Sequence, residues 1–196
     1  LILAARTDLP AKTLKELVAY AKAHPGMTYS SPGQGSTPHL SGELLARESK
    51  LDLVHVPYKG GGQAVLDVIA GRIDFYAGTP SEVVPHIKAG KLTPIAVLAA
   101  ERSRLLPDLP TSIEQGFPYL KVQSWTSVAA PAGIPMEIAE KISADLAKVI
   151  KEPSLRDPLL ERGAVFVGST PKDLAAFYEE EHSRFGPIVK SLGLKP

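Results

Sequence analysis

The stretch SSPGQGSTPHLSGE, Ser30 to Glu43, decides how this chain is read. It continues a short strand-like segment, MTYSS from Met27, and runs into a pattern with Leu40, Leu44 and Leu45 on one helical face. Strand, small polar loop and helix therefore follow one another directly. In a parallel sheet such a junction puts the helix start at the carboxyl end of the strand, where open α/β folds bind ligands. Helix starts present unpaired N–H groups and partial positive charge, which suit a carboxylate or a phosphate. The spacing excludes nucleotide loops. Gly33-x-Gly35 is followed by Pro38 rather than completing GxGxxG, and GxxxxGK[ST] is missing. It is not a GxSxG nucleophile elbow either. What remains is a turn, or a carboxylate cradle made by backbone N–H groups with Ser31, Ser36 and Thr37.

Working outward, strands and helices alternate. LILAA (Leu1–Ala5) reads as a strand already in progress, which points to a mature or shortened chain. Thr13 and Glu16 form a capping-box signature ahead of a helix ended by Gly26. LDLVHVPY, IDFYAG and LTPIAVLAA read as strands, the last buried on both faces. GGQAVLDVIAGR and TPSEVVPHIKAG read as the intervening helices. ERSRLLPDLPTSIEQGFPYL is a proline-rich surface excursion with a short helix begun by Thr111 and Glu114. KVQSWTSVAAPAG reads as a long strand, with Trp125 as a packing residue. A helix with Ile138, Ile142, Leu146, Val149 and Ile150 on its apolar face follows. Then come a helix interrupted by Pro158, a strand at AVFVGS, and a terminal helix containing Pro187. The alternation predicts a mostly parallel sheet with helices on both faces. A boundary near Ala129 divides residues 1–128 from 129–196.

Two further junctions resemble the first in character. VPYKGGGQ carries Tyr58, Lys59 and Gly60, and its glycines let the backbone approach a ligand; Lys59 reads slightly better as a solvated side chain. FYAGTP carries Ala77, Gly78 and Thr79. Thr37, Thr79 and Thr170 each precede a proline and read as N-caps with proline at the first helical position. His39 stands equally as a ligand donor and as a structural histidine, and His55 as a packed strand residue. Neither His39 nor His55 has HExxH or carboxylate spacing around it, His24, His86 and His182 read as solvated, and no nucleophile–base pair is visible at the junctions. The pattern is that of a binding site without catalysis, cofactor or metal.

Composition narrows the class. The 196 residues carry 22 Lys plus Arg and 21 Asp plus Glu, a net charge of +1. That balance speaks against nucleic-acid binding. The chain has no cysteine, so disulfide scaffolds, thiolate zinc sites and cysteine nucleophiles are excluded. No apolar run reaches the ~20 residues that span a bilayer.

Five motifs in order resemble one family. They are YSSPGQGSTPHLSGELL, VHVPYKGGGQAVLDVIAGRIDF, PHIKAGKLTPIAV, LPDLPTSIEQGFP and SWTSVAAPAGIP. Together they resemble the Bug/TctC family, the extracytoplasmic solute receptors of tripartite tricarboxylate transporters. The resemblance implies a periplasmic binding protein-like α/β fold whose two lobes close on a small organic carboxylate. It implies export with a removed signal peptide, delivery of the ligand to membrane permease subunits, and no reaction. This chain matches one complete lobe with a crossing strand at each end (1–128) and the C-terminal part of the other (129–196). Carried over residue by residue, the ligand contacts are Ser31, Gly33, Gly35, Ser36, Thr37, His39, Tyr58, Gly60 and Thr79. Ala77 and Gly78 shape specificity. Many relatives have Asp-Asn at that pair, so its loss implies a less polar distal group on the ligand. The family's N-terminal segment, with its PFPAGG-type loop, has no counterpart here, and residues 129–196 are expected to expose an apolar face. The alternatives are a receptor presenting its ligand to a sensor kinase, and an α/β enzyme using His39.

Overall fold

A computed structural model describes residues 1–194. The chain divides into two compact units, Leu1–Ser124 and Trp125–Pro196. The division falls before Trp125, where the sequence suggested a boundary after Val128.

The first unit is a five-stranded sheet wrapped by helices. Its strands are β1 (Ile2–Ala5), β2 (Met27–Ser31), β3 (Leu53–Pro57), β4 (Phe75–Gly78) and β5 (Thr93–Val97), in the spatial order β3-β2-β4-β1-β5. β2 runs parallel to both β3 and β4, whereas β1 runs antiparallel to β4 and β5. The sheet is therefore parallel except for β1, and the mostly parallel α/β expectation holds. Four helices connect the strands: α1 (Leu14–Ala23), α2 (Thr37–Ser49), α3 (Gly61–Ile69) and α4 (Pro80–Lys88).

Alternation along each strand assigns the two faces. Tyr29, His55 and Phe75 share one face in register, and α2 covers it. The opposite face buries Ile2, Ala4, Tyr76 and Val97 against Ala64, Val65 and Val68 of α3 and Val83 and Val84 of α4. Below the sheet, at the amino ends of β2 and β4, Asp74 accepts from the Thr28 N–H at 2.7 Å and from Arg6 Nε at 3.0 Å. That fixes the register from which the opposite edge is built.

Three elements differ from the sequence reading. Residues 121–133 form no strand, and the segment ends in a turn at Gly133, whose φ is 89°. The outer edge of β5 is already occupied, because Val97 N–H donates to Pro110 O and Ser112 N–H to Val97 O. Val122 N–H still reaches Leu98 O at 2.8 Å, and past that point the segment has no ladder to join. Thr111 and Glu114 cap one another as expected, with Thr111 N–H donating to Glu114 Oε2 at 2.7 Å. Only a turn follows before Gly116, whose φ of 89° suits glycine, and a 3-10 turn at Pro118–Leu120 closes the excursion. Ala164–Ser169 is likewise no strand, and Val165 and Val167 are 85% and 81% exposed.

The second unit carries α5 (Met136–Val149), α6 (Pro153–Leu160) and α7 (Pro171–Ser191). α6 runs through Pro158 and α7 through Pro187 without ending. Thr170 caps α7 in a reciprocal pair with Asp173. Trp125 packs edge-on to Phe177 at 5.4 Å and to Tyr178 at 5.9 Å. No residue of α5 is buried, and Ile138, Ile142, Leu146 and Val149 stand exposed along it. Among the described residues no helix is long and apolar enough to cross a membrane.

Candidate functional site

The parallel strands bring their carboxyl ends to one sheet edge. Ser31 ends β2, Pro57 ends β3 and Gly78 ends β4, with β2 between the other two. All three junctions singled out in the sequence thus lie side by side, with the Ser31 loop in the centre.

That loop is held by its own small groups. Ser31 Oγ donates to Gly33 O at 2.9 Å and accepts from Gly33 N–H at 3.1 Å. Ser36 Oγ donates to the same carbonyl at 2.6 Å. The chain reverses through Gly35, whose φ of 75° lies in the left-handed region that glycine enters without strain. Tyr58 N–H donates to Ser31 O at 2.9 Å, tying the second junction to the first. α2 is capped by Ser36 rather than Thr37: Ser36 Oγ accepts from His39 N–H at 3.4 Å, and Thr37 is the first helical residue. Proline therefore occupies the second helical position, where it also removes no intrahelical bond. The shift leaves the Thr37 hydroxyl and N–H without a hydrogen-bond partner among the described residues, at the sheet's carboxyl edge.

Beneath the loop lies a file of rings, buried except for the partly exposed His55. His39 stacks on His55 at 3.8 Å, His55 on Tyr29 at 5.0 Å, and Tyr29 on Phe75 at 5.7 Å. His39 is 4% exposed. Its Nδ1 accepts from Gly35 N–H at 3.0 Å, so its proton sits on Nε2, which faces Glu43 Oε1 at 3.6 Å. The same carboxylate oxygen accepts from the Tyr29 hydroxyl at 2.5 Å. His39 first, and then Tyr29, hold the Glu43 carboxyl below its usual range. Burial, followed by the Glu43 charge, pushes the Tyr29 phenol up. His55 Nε2 lies 2.7 Å from Ser31 Oγ. Burial, and then repulsion from His39, lower His55 from 6.5 to about 4, so it is neutral at pH 7.

This pocket of charge makes stability depend on pH in a defined direction. The unfolded chain takes up the His55 proton first, so folding is favoured less as pH falls from 6.5 towards 4. Glu43 acts in the same sense, because a carboxyl lowered in the folded state loses its contribution on acidification. After allowance for solvent around the half-buried ring, the His55 share is about 1 kcal/mol. Urea unfolding at pH 7 and pH 4.5 measures it, and His55→Gln is expected to lose less stability between the two than the parent. Equal losses would contradict it.

The other junctions differ in how much they leave open. The Tyr58 hydroxyl turns to Asp67 at 2.6 Å, away from solvent anions. Burial and then this carboxylate push the phenol up to about 12. Lys59 is exposed. Gly60 caps α3 without a side chain, and the Gly61 and Gly62 N–H groups have no acceptor among the described residues. At the third junction a carboxylate is already in place. Glu82 accepts from Thr79 N–H and Thr79 Oγ1, both at 2.8 Å, and from the Tyr76 hydroxyl at 3.2 Å. Ala77 is buried, and a Cβ on Gly78 would meet the Tyr76 ring and Val83.

Sequence reading missed Glu43, Tyr29 and Glu82. His39 and Glu43 stand four apart within the very stretch first quoted, which is contact spacing on a helix. Glu82 occupies the third helical position behind an N-cap threonine, the capping-box pattern. Only Tyr29 and its stacking on His55 carried no local signal.

Residues 1–194 match the family model described as tripartite tricarboxylate transporter family receptor. The UPF0065 protein in the tcbD-tcbE intergenic region of Pseudomonas sp. (strain P51) is 30% identical over 190 residues, which is 96% of this chain and 56% of that protein. Two solved structures share the fold. Rpa4515 of R. palustris with adipate has a TM-score of 0.82 at 31% identity, covering 100% of this chain and 66% of that one. MatC from Rhodopseudomonas palustris with bound malate has a TM-score of 0.80 at 31% identity, covering 96% and 65%. The chain thus spans little more than half of that curated relative and about two thirds of the solved chains.

Proposed function

This chain belongs to the family of tripartite tricarboxylate transporter receptors, and from that premise we propose that it is the ligand-gripping part of a periplasmic solute-binding protein for a small organic carboxylate. Leu1–Ser124 is one lobe and the remainder is the C-terminal part of the other. The ligand is handed unchanged to membrane permease subunits. Ser31, Gly33, Gly35, Ser36, Thr37, His39, Tyr58, Gly60 and Thr79 form this lobe's site, with Ala77 and Gly78 setting specificity.

The observation that carries the reading is the open start of α2, where Thr37 keeps a free hydroxyl and N–H at the carboxyl edge of β2. Thirteen helical residues stand behind that end, and their aligned dipoles favour an anion there. The unoccupied N–H groups of Gly61 and Gly62 lie at the neighbouring junction and serve the same anion or a second polar end. The acids named with the solved relatives, adipate and malate, support the ligand class. Ser31 Oγ spends its proton on Gly33 O and so meets His55 Nε2 as an acceptor at 2.7 Å, and His39 Nδ1 is taken by Gly35, an arrangement that favours binding over nucleophilic attack. Ala77 and Gly78 offer no polar side chain, which favours acids with an aliphatic or aromatic distal part.

A thermal-shift screen of the full-length protein against mono-, di- and tricarboxylates tests the assignment. At a concentration of 100 Kd the right acid adds about 2.7 kcal/mol of stability. Stabilisation by amino-dicarboxylates alone would overturn the specificity reading. Stabilisation by no carboxylate at all would overturn the ligand class.

A further inference from the structure

We infer that His39 is a positioning residue: oriented by Glu43, it holds the Gly33–Ser36 loop in its ligand-receiving shape through the Gly35 N–H and does not itself touch the ligand. The inference rests on the reading of that loop as the carboxylate site.

Three observations converge on it. The His39 ring is almost wholly buried and lies under the loop, stacked at 20° on His55. Its Nδ1 is the acceptor for the N–H of Gly35, the one loop residue with φ near +75°. A glycine in that region has many alternative conformations, and a single directed hydrogen bond selects among them. Lastly, Nδ1 can accept only while the ring proton is on Nε2. Glu43 Oε1 supplies the reason it stays there, facing Nε2 at 3.6 Å while anchored by the Tyr29 hydroxyl. A proton on Nδ1 would set two donors against each other and release Gly35.

The groups facing the ring come from every element around it. They are Glu43 from α2, Tyr29 from β2, His55 from β3, and Gly35 from the loop. None of them is a ligand-facing group except the loop. Ser31 completes the brace from the other side, since its Oγ holds Gly33 while contacting His55. The two glycines of the loop are thus each tied to a different side chain of one buried cluster.

Two isosteric replacements separate positioning from contact. In His39→Asn the amide oxygen falls near the place of Nδ1; in His39→Gln the terminal amide falls near Nε2 and the Nδ1 acceptor is lost. Amide hydrogen exchange at Gly35 in the ligand-free protein is the first readout. Adipate affinity by calorimetry, on full-length protein well below its melting temperature, is the second. The expected result is about tenfold faster Gly35 exchange and about tenfold weaker adipate binding in His39→Gln, with His39→Asn close to the parent in both. Glu43→Gln is expected to loosen Gly35 as well, with a nitrogen-15 signal of His39 showing the proton leaving Nε2. If His39→Gln binds adipate as the parent does while His39→Asn does not, His39 is a direct contact through Nε2 and the inference fails. It fails also if the two variants exchange alike at Gly35. Should the parent bind none of the acids, the functional reading falls alone, because the Gly35 exchange pattern still decides how the loop is held.

Discussion

Replacing Gly42 with alanine is expected to destabilise the first unit by about 2–3 kcal/mol, although alanine is the better helix former by about 1 kcal/mol. Gly42 lies in α2 directly over the Tyr29 ring, and an added Cβ would sit inside contact distance of three ring carbons. Tyr29 has nowhere to retreat. It is 1% exposed, Phe75 stacks behind it at 5.7 Å, and its hydroxyl is bound to Glu43. Helix or ring must move, and either motion disturbs the His39 stack above. The midpoint of urea unfolding measures the effect. A midpoint equal to or above the parent's would mean that α2 rides higher over the sheet than this contact implies.

The second large effect concerns α5. Ile138, Ile142, Leu146 and Val149 are between 39% and 49% exposed and lie on one helical face. An apolar stripe of that kind takes up hydrophobic dyes and promotes self-association. The double variant Ile142→Glu, Leu146→Lys puts an acid four residues ahead of a base, the favourable order for a helical pair. In the 196-residue chain it is expected to cut dye fluorescence several-fold while changing unfolding free energy by less than about 1 kcal/mol, because both positions are surface sites. A loss of about 2–5 kcal/mol, the range for buried aliphatic positions, would show that the face is packed in this chain.

How much of this was written in the sequence can be judged residue by residue. The three strand-to-helix junctions were legible because glycine, serine and threonine punctuate them locally, and a parallel sheet then brings their ends together by geometry alone. The direction of β1 was not legible. Four short apolar residues carry no orientation, and antiparallel pairing to both β4 and β5 is decided by where the chain travels next. The strand expected at Lys121–Gly133 failed for a non-local reason, since Pro110–Ser112 had taken the β5 edge. The one at Ala164–Ser169 has the alternation of a strand and no partner among the described residues. Capping was right in kind and shifted by one residue at α2, because serine and threonine stand side by side there and Ser36 alone reaches Gly33 O. At the site, the loop and its helix were visible, and the ring file was not. His55 belongs to β3 and Tyr29 to β2, and only the register that pairs them directly brings their rings into the stack with His39.

The chain has a single tryptophan, Trp125, and it packs edge-on against Phe177 and Tyr178 within the second unit. Tyr20, Tyr29, Tyr58, Tyr76 and Tyr119 all belong to the first unit. The molecule therefore carries two optical labels that nature has already sorted. Indole emission, excited at the red edge, follows the helical unit alone, while tyrosine circular dichroism follows chiefly the sheet. One melt watched at both wavelengths reads out whether the two halves come apart together or in turn, with no probe attached.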